Sequence, residues 1–482
     1  MEKDTVRTSS PDDAEKCSST QDVVVTTDDS SDSELAIDPK AEARLLRRID
    51  MRIVPASFFI SLLCFLDRAN IGNAKILNNT SGHSLAQTLH ISNQQYLDAL
   101  LIFIVGYTIF EVPSNYMLHR FRPSVWIAFL MLGWGMLTMV LAAVRNFPGL
   151  VVVRFLLGAF EADLFPGLVY CLTYWYKPDE RALRVVFISG GSSLAGAFGG
   201  AIAFGVGHMN GLHGLQGWRW LFLLEGLPSI VCAALVYACF PDYPEASRWL
   251  APADRALAAR RVRGVASRGG EHVGWAAARA TLLDARLYLH YLVSISFSVG
   301  FSSISLFAPT IVSGLGYAGL RAQLFTVPPY AIAFVVTIFI AWQADRRGVR
   351  SLTALTCMFM AGVCFLIQGL LPAHAFKARY GMLCIAVPFL FAIQPPLLSW
   401  LTGNLRSTGA ATFALPTYVA IDQVGQIVGI YIYKSNEAPG YPTGHFTNAA
   451  FLLFGSVVIF ILRTIYIQRN RALAAGERRW EL

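Results

Sequence analysis

Twelve runs of apolar residues follow one another along this chain. They lie at roughly 52–74, 97–118, 124–144, 149–173, 184–207, 218–240, 288–313, 325–344, 352–371, 380–403, 410–433 and 448–468. An α-helix rises about 1.5 Å per residue, so a run of about 20 residues crosses the hydrocarbon core of a bilayer. In lipid the backbone must satisfy its own hydrogen bonds, and continuous apolar runs of this length do so as helices. Of the 482 residues, 55% are hydrophobic and 15% charged. Ordinary globular domains carry about 25% charged residues. A chain this poor in polar groups cannot cover a water-soluble surface, which excludes a soluble enzyme. The fold class expected is an all-α polytopic membrane protein with twelve transmembrane helices.

Twelve is even, so both termini share a side. The segments on that side hold 25 Lys and Arg residues outside the acidic first 41 residues, against six in the opposite loops. The positive-inside rule then puts both termini in the cytoplasm. The formal net charge is +8, although residues 1–41 carry four basic and eleven acidic groups. The basic residues fall between apolar runs, which points to topology and not to nucleic acid. Residues 1–44 read as a disordered acidic cytoplasmic tail, too polar to build a core and lacking a signal-peptide h-region. The long basic loop 241–287 divides the chain into two six-helix bundles, 45–240 and 288–468, followed by a cytoplasmic tail at 469–482. Two similar halves suggest two parallel repeats around a shared pathway. The tandem sequon Asn78-Asn79-Thr80-Ser81 falls in the first outside loop, making Asn78 and Asn79 candidate glycosylation acceptors.

The chain has no G-x-x-x-x-G-K-[ST], no G-x-S-x-G and no His pair at metal-ligand spacing in a helix. It reads as neither an enzyme nor an ATP-driven pump. No cofactor is expected; an ion gradient, or the solute's own gradient, would supply the energy. What stands out is charge inside the apolar runs. An ionisable group at the bilayer centre costs at least a few kcal/mol and usually marks function or a paired partner. The first half holds Asp67, Arg68, Glu111, Arg154, Glu161, Asp163 and Glu225; the second holds Asp422 alone.

Arg154 and Glu161 share a helix face, with Gly158 between them to admit a neighbouring helix. Helix 1 can bring Asp67 and Arg68 to that face, and helix 2 adds Tyr107 and Glu111 on one face of its own. One reading is a binding site for an anionic solute coupled to protons. Arg68 would grip a carboxylate through two parallel hydrogen bonds, and Asp67 and Glu161 would carry protons. The competing reading is structural, with Arg154–Glu161 and Arg68–Asp67 merely neutralising each other and pinning helices. Glu111, beside Pro113, reads as a gate or packing residue, and Glu225 as a partner for Arg219. Asp163 reads as a helix contact or an extra proton site. Gln394, Trp400, Asn404, Asp422 and Gln423 either face the pathway, reading the neutral part of a substrate, or bond to neighbouring helices.

Several longer motifs run through the chain in order. Arg48-Ile-Asp-Met-Arg-Ile-Val-Pro55 precedes Phe65-Leu-Asp-Arg-Ala-Asn-Ile-Gly-Asn73. Then come Val105-Gly-Tyr-Thr-Ile-Phe-Glu-Val-Pro-Ser-Asn115, Arg154-Phe-Leu-Leu-Gly-Ala-Phe-Glu161 with Phe165-Pro-Gly167, and Trp175-Tyr176 with Glu180-Arg181. Gly217-Trp-Arg-Trp-Leu-Phe222 with Glu225-Gly226 closes the first half. Pro309-Thr-Ile311, Val327-Pro-Pro-Tyr330 and Ala438-Pro439 with Tyr441-Pro-Thr-Gly-His445 follow. Together they resemble the fungal allantoate/nicotinate permease-like branch of the anion:cation symporters, within the major facilitator superfamily.

That resemblance spans about 45–470. It implies a twelve-helix alternating-access fold and proton-driven uptake of a small organic anion. It also implies that Arg68 holds the substrate carboxylate, that Asp67 and Glu161 carry protons, and that Tyr107 and Arg154 belong to the same site. The chain departs from the family pattern at Asp163, usually a small residue, at Gln423, usually Asn, and at Ala411, where a basic residue is usual. The function expected is symport of an organic carboxylate with protons across a lipid bilayer, by a multi-pass protein of the plasma membrane. Gln423 and Asn404 would join Arg68 and Tyr107 in binding substrate, and Arg154 would join the proton-coupling group. A proton-antiport exporter of a metabolite or drug, needing the acids but not Arg68, and a non-transporting nutrient sensor are the alternatives.

Overall fold

The structure is a computed structural model, and it describes residues 38–162, 164–262, 283–317, 319–405, 408–473 and 479–482. Twelve long helices carry the twelve apolar runs. They are α1 (Pro39–Ile76), α2 (Asn93–Arg120), α3 (Pro123–Leu141), α4 (Phe147–Glu161, then Leu164–Thr173), α5 (Pro178–Gly207) and α6 (Gly217–Cys239). The second six are α7 (Ala285–Gly314), α8 (Leu320–Arg347), α9 (Arg350–Leu370), α10 (Phe376–Phe391, then Gln394–Gly403), α11 (Thr408–Tyr431) and α12 (Pro442–Ala472). Among the described residues, eleven segments are long and apolar enough to cross a membrane. The twelfth helix, α11, has its apolar run diluted by Asp422, Gln423 and Gln426.

Helix contacts repeat with an offset of six. In the first half α1 packs on α5, α2 on α4 and α3 on α6; in the second α7 packs on α11, α8 on α10 and α9 on α12. The halves meet through α5 on α8, α2 on α11, and α1 on α7. That last contact is close because Gly72 has no side chain. A Cβ there would collide with the backbone carbonyl of Leu306 on α7. Around the bundle, Phe59, Val112, Phe129, Val231, Val335, Phe339 and Phe460 are exposed, as a lipid-facing surface requires.

Two helices are broken, each at proline. A helical proline lacks the N–H and its ring crowds the carbonyl four residues back. Pro166 does this to the turn at Ala162, where α4 stops and Ala162 takes ψ 141°. Pro395 and Pro396 do it to the turn at Phe391–Ala392, where α10 stops before restarting at Gln394. The periodicity alone had suggested continuous helices.

Domain limits also shift. Residues 39–44, assigned above to the acidic tail, are instead the first turns of α1. The Asp38 side chain accepts from Lys40 N at 3.0 Å and Pro39 occupies the first turn. Glu42 is held by Lys177 at 2.7 Å and by Arg261 at 2.8 Å, while Leu45 and Ile49 are buried. Residues 1–37 of that tail lie outside the described residues. In the central loop, Pro252–Arg261 forms a short helix whose Arg261 also bonds Glu180 at 2.5 Å. The second bundle starts at Ala285, three residues before the position expected.

The end of the chain is fastened to the second half. Trp480 N donates to Asn470 Oδ1 at 2.7 Å, and its ring stacks on Tyr466 and under the Arg286 guanidinium. Glu481 N donates to Asn404 Oδ1 at 2.8 Å, and the Trp400 indole N–H donates to Glu481 O at 2.9 Å. The Glu481 carboxylate pairs with Arg350.

Candidate functional site

Two backbone approaches assemble the site. Gly158 lets α4 lie directly on α2, since a Cβ there would strike the Phe103 carbonyl oxygen; Gly106 does the same against the Phe155 carbonyl. Phe103 and Tyr107, one turn apart on α2, therefore stand beside Glu161 on α4. Arg68 of α1 enters between them. Its guanidinium carbon lies 5.2 Å from the Phe103 ring centre and 4.9 Å from that of Tyr107. Its Nε is 3.6 Å from Glu161 Oε2. The Cys64 thiol, one turn earlier on α1, donates to the same carboxylate oxygen at 3.8 Å. Two ring faces and one carboxylate fix the cation without exhausting its donors.

Asp67 is next in sequence and points elsewhere. It is 2% exposed, with neither carboxylate oxygen hydrogen-bonded. It faces Thr138 of α3 and Ser229 of α6, with Arg154 and Glu161 nearby. No Arg68–Asp67 ion pair occurs among the described residues, so the mutual neutralisation weighed for that pair is not what the fold builds. Arg154 is 1% exposed. Its Nε and Nη2 lack hydrogen-bond partners, and Tyr96, Glu161 and Asp67 surround it.

A small, partly open pocket lies between the halves. Arg68, Arg154 and Phe103 form one wall, and Phe301, Ser302, Ser305 and Gln426 form the other. The wall also includes Ile71, Leu100, Ile104 and Leu306, so most of its surface is apolar. With every group ionised, two guanidinium and two carboxylate charges cancel. An arriving anion leaves a negative balance unless a proton comes with it. A cluster of this composition is chemically able to link anion binding to protonation.

Sequence reasoning placed five residues here correctly in space: Asp67, Arg68, Tyr107, Arg154 and Glu161 come together. The neutral partners differ. Gln423 does not line the cavity, because its amide turns back to the Val419 carbonyl at 3.5 Å. Asn404 is also absent from it, since its side chain holds the backbone of Trp400 and Glu481. Gln426, Ser302, Ser305 and Phe301 were missed. A signal for Gln426 existed in the glycine pair Gly425 and Gly429, whose missing side chains seat α11 against α7. That contact turns the adjoining position, Gln426, toward the cavity.

Glu225 does not meet Arg219. It accepts from the Asn70 amide, while Arg219 bonds Gln216 and the Ala142 carbonyl and lies over the Trp218 ring. Asp163 lies outside the described residues. Of the two sequon asparagines, Asn79 is exposed, whereas the Asn78 amide nitrogen, where a glycan would attach, donates to the Gly207 carbonyl at 3.0 Å.

The chain matches the model of the Major Facilitator Superfamily over residues 57–430. It is 49% identical over 442 residues to the MFS transporter prlL of Fungal sp. (strain NRRL 50135), covering 91% of this chain and 89% of that protein. It is 30% identical over 441 residues to a putative tartrate transporter of Agrobacterium vitis, covering 91% and 94%. Among solved structures, the E. coli xylose transporter XylE, caught partially occluded and inward open, superposes with a TM-score of 0.61 at 16% identity, covering 85% of this chain and 96% of that one. The XylE proton:xylose symporter bound to 6-bromo-6-deoxy-D-glucose superposes with a TM-score of 0.63 at 17% identity, covering 86% and 96%. The family match, the repeated helix pairing and the cavity between the halves agree: the chain belongs to the major facilitator superfamily, and it is a multi-pass membrane transporter, not an enzyme.

Proposed function

We propose that this transporter takes up a small organic carboxylate together with protons by alternating access, with both termini in the cytoplasm and the plasma membrane as its site. The observation that carries this reading is Arg68, held by Glu161 and two aromatic faces in the wall of a cavity between the halves. A guanidinium fixed in this way offers its remaining N–H groups to a carboxylate in a low-dielectric space. Asp67 and Glu161 carry the protons, Arg154 tunes them, and Tyr107 positions Arg68. The proton gradient is the energy source and no cofactor takes part. The apolar share of the wall favours an acid with an apolar body over a densely hydroxylated one. The name of the Agrobacterium vitis relative, a putative tartrate transporter, supports a carboxylate as the class. Asn79 is the glycan acceptor this reading places outside.

The test is uptake of a panel of labelled acids (nicotinate, allantoate, pantothenate, tartrate and other dicarboxylates) at outside pH 5 and pH 8, comparing the native chain with Arg68→Ala. Accumulation that is stronger at pH 5, stopped by a protonophore and lost in the variant is expected. No uptake of any acid, with the protein present at the cell surface, overturns the reading in favour of export or sensing.

A further inference from the structure

Two carboxyl groups, Glu111 buried and Asp422 partly buried, have no place in the cluster around Arg68 and Arg154. Glu111 lies one turn beyond Tyr107 on α2, so it continues the cavity-facing stripe of that helix. Asp422 lies one turn before Gln426 on α11 and continues the stripe of its helix in the same direction. Since α2 and α11 pack across the interface between the halves, the two stripes face each other. Glu111 is 1% exposed and neither of its oxygens is hydrogen-bonded. Asp422 is better held. It accepts from Ser294 Oγ at 2.8 Å and from the Gln426 amide at 3.1 Å, while Ser298 Oγ bonds its backbone carbonyl at 2.8 Å.

The groups around this pair are few. Glu111 is within electrostatic reach of Asp422 and of Arg68. Asp422 faces Arg68, Tyr418, Ser294, Ser298 and Gln426. Among the described residues Arg68 is the one cation in electrostatic reach of both, and Glu161 already engages it. Two ionised carboxylates here would repel each other without a counter-charge of their own. They would also repel a substrate carboxylate approaching Arg68. A single proton shared between them removes the first penalty and halves the charge behind the second.

We infer that Glu111 and Asp422 form a second proton-binding site, one carboxyl group from each half, holding one proton while the halves are together at this level. The inference rests on the proton-coupled reading above and adds a second, inter-half site to it. Parting of α2 from α11 separates the two carboxyl groups and exposes them to solvent, so the shared proton leaves as the gate opens. Gln426 lines the cavity and donates to Asp422, so it links an occupied cavity to the state of the pair. Balance is simple: the proton arrives from one bulk phase on a carboxylate oxygen and departs to the other.

Infrared titration of the purified full-length chain in lipid tests this without a substrate. The native protein is expected to show a titrating protonated-carboxyl band that disappears in Glu111→Gln. The same band should disappear in Asp422→Asn, and the double variant should lose nothing more. The charge-conserving exchange Glu111→Asp with Asp422→Glu should keep it, which guards against loss through misfolding. Asp67→Asn should remove a different band and leave this one in place. Separate bands for Glu111 and Asp422, or no loss in either variant, overturns the shared site. If the panel of acids fails while this band behaves as described, the uptake reading falls and the second proton site stands.

Discussion

Helices α1 and α7 occupy matching places in the two halves and line one cavity from opposite sides, with different chemistry. The α1 side brings Arg68, with Arg154 in the same wall and Asp67 and Glu161 behind them. The α7 side brings hydroxyls. Ser294 and Ser298 bond Asp422, and Ser302 bonds the Gln426 carbonyl. Ser303 bonds Asn448, which continues to the Tyr433 hydroxyl and on to His445. Apart from Asp422 this second network is neutral, and it ends at His445, whose Nε2 is buried without a partner. In the first half, both oxygens of Asp67, one of Glu161 and two nitrogens of Arg154 are buried without partners. Native structures leave few such atoms, because each costs about 1–3 kcal/mol. A fold that tolerates a cluster of them in one half keeps them for something that comes and goes. The half with the hydroxyl and amide network is the scaffold against which the charged half works.

The largest effect should therefore fall on Arg68. Arg68→Ala is expected to lower uptake roughly 100-fold or more, a loss of about 3 kcal/mol in transition-state terms. Arg68→Lys should rescue little, because an ammonium offers no planar fork to lie between the Phe103 and Tyr107 rings. In the second half, Asn448→Ala should leave the apparent KM unchanged and reduce thermal stability. Uptake kinetics beside a melting curve separate the two. An Asn448 variant with the Arg68 phenotype would break the division of labour between halves.

Next come the proton carriers. A carboxyl that takes up a proton with the anion makes native uptake fall as outside pH rises from 5 to 8. Asp67→Asn and Glu161→Gln fix the protonated-like state, so their residual transport should be nearly independent of pH. Accumulation against a gradient should drop about 10- to 100-fold, while exchange of labelled for unlabelled acid across the membrane continues. Counterflow and net uptake in the same vesicles measure this. Loss of both activities together would make these residues structural and remove the contrast.

A smaller effect sharpens what the scaffold half contributes. Gln426→Ala should raise KM by about 3- to 10-fold with little change in maximal rate, as expected for one neutral hydrogen bond to substrate. Gln423→Ala should change neither. The pair reads directly on what could be seen in the sequence. Twelve spans, two halves and the charged cluster were legible because lipid forces apolar length and makes each buried charge conspicuous. The neutral wall was not. Gln423 and Gln426 look alike as letters, and only the seating of Gly425 and Gly429 on α7 decides which one reaches the cavity. The breaks in α4 and α10 were written in Pro166 and in Pro395-Pro396, but a hydropathy window averages over them. The role of Asn404 depended on a residue 77 positions away in the tail.

The smallest effect compares how each half is fastened at the end that carries the termini. In the first half the fastening is ionic: Glu42, Lys177, Glu180 and Arg261 form a chain of pairs between 2.5 and 2.8 Å. In the second half Trp480 is wedged by Tyr466 and Arg286, its N–H donates to Asn470, and the neighbouring Glu481 backbone accepts from Trp400 and donates to Asn404. Salt near 1 M shortens the Debye length to about 3 Å, which weakens partly exposed ion pairs and leaves stacking and backbone hydrogen bonds largely alone. Trp480→Ala should then lower the melting temperature by roughly 2 °C at low and high salt alike. Glu42→Ala should cost a similar amount at low salt and less at high salt. Uptake should stay within about twofold of native in both, since neither residue touches the cavity, a margin well below the tenfold step of about 1.4 kcal/mol. A Trp480 effect that vanishes in salt would mean that the tail is held by Glu481 and Arg350 alone, and the two halves would be fastened by the same chemistry after all.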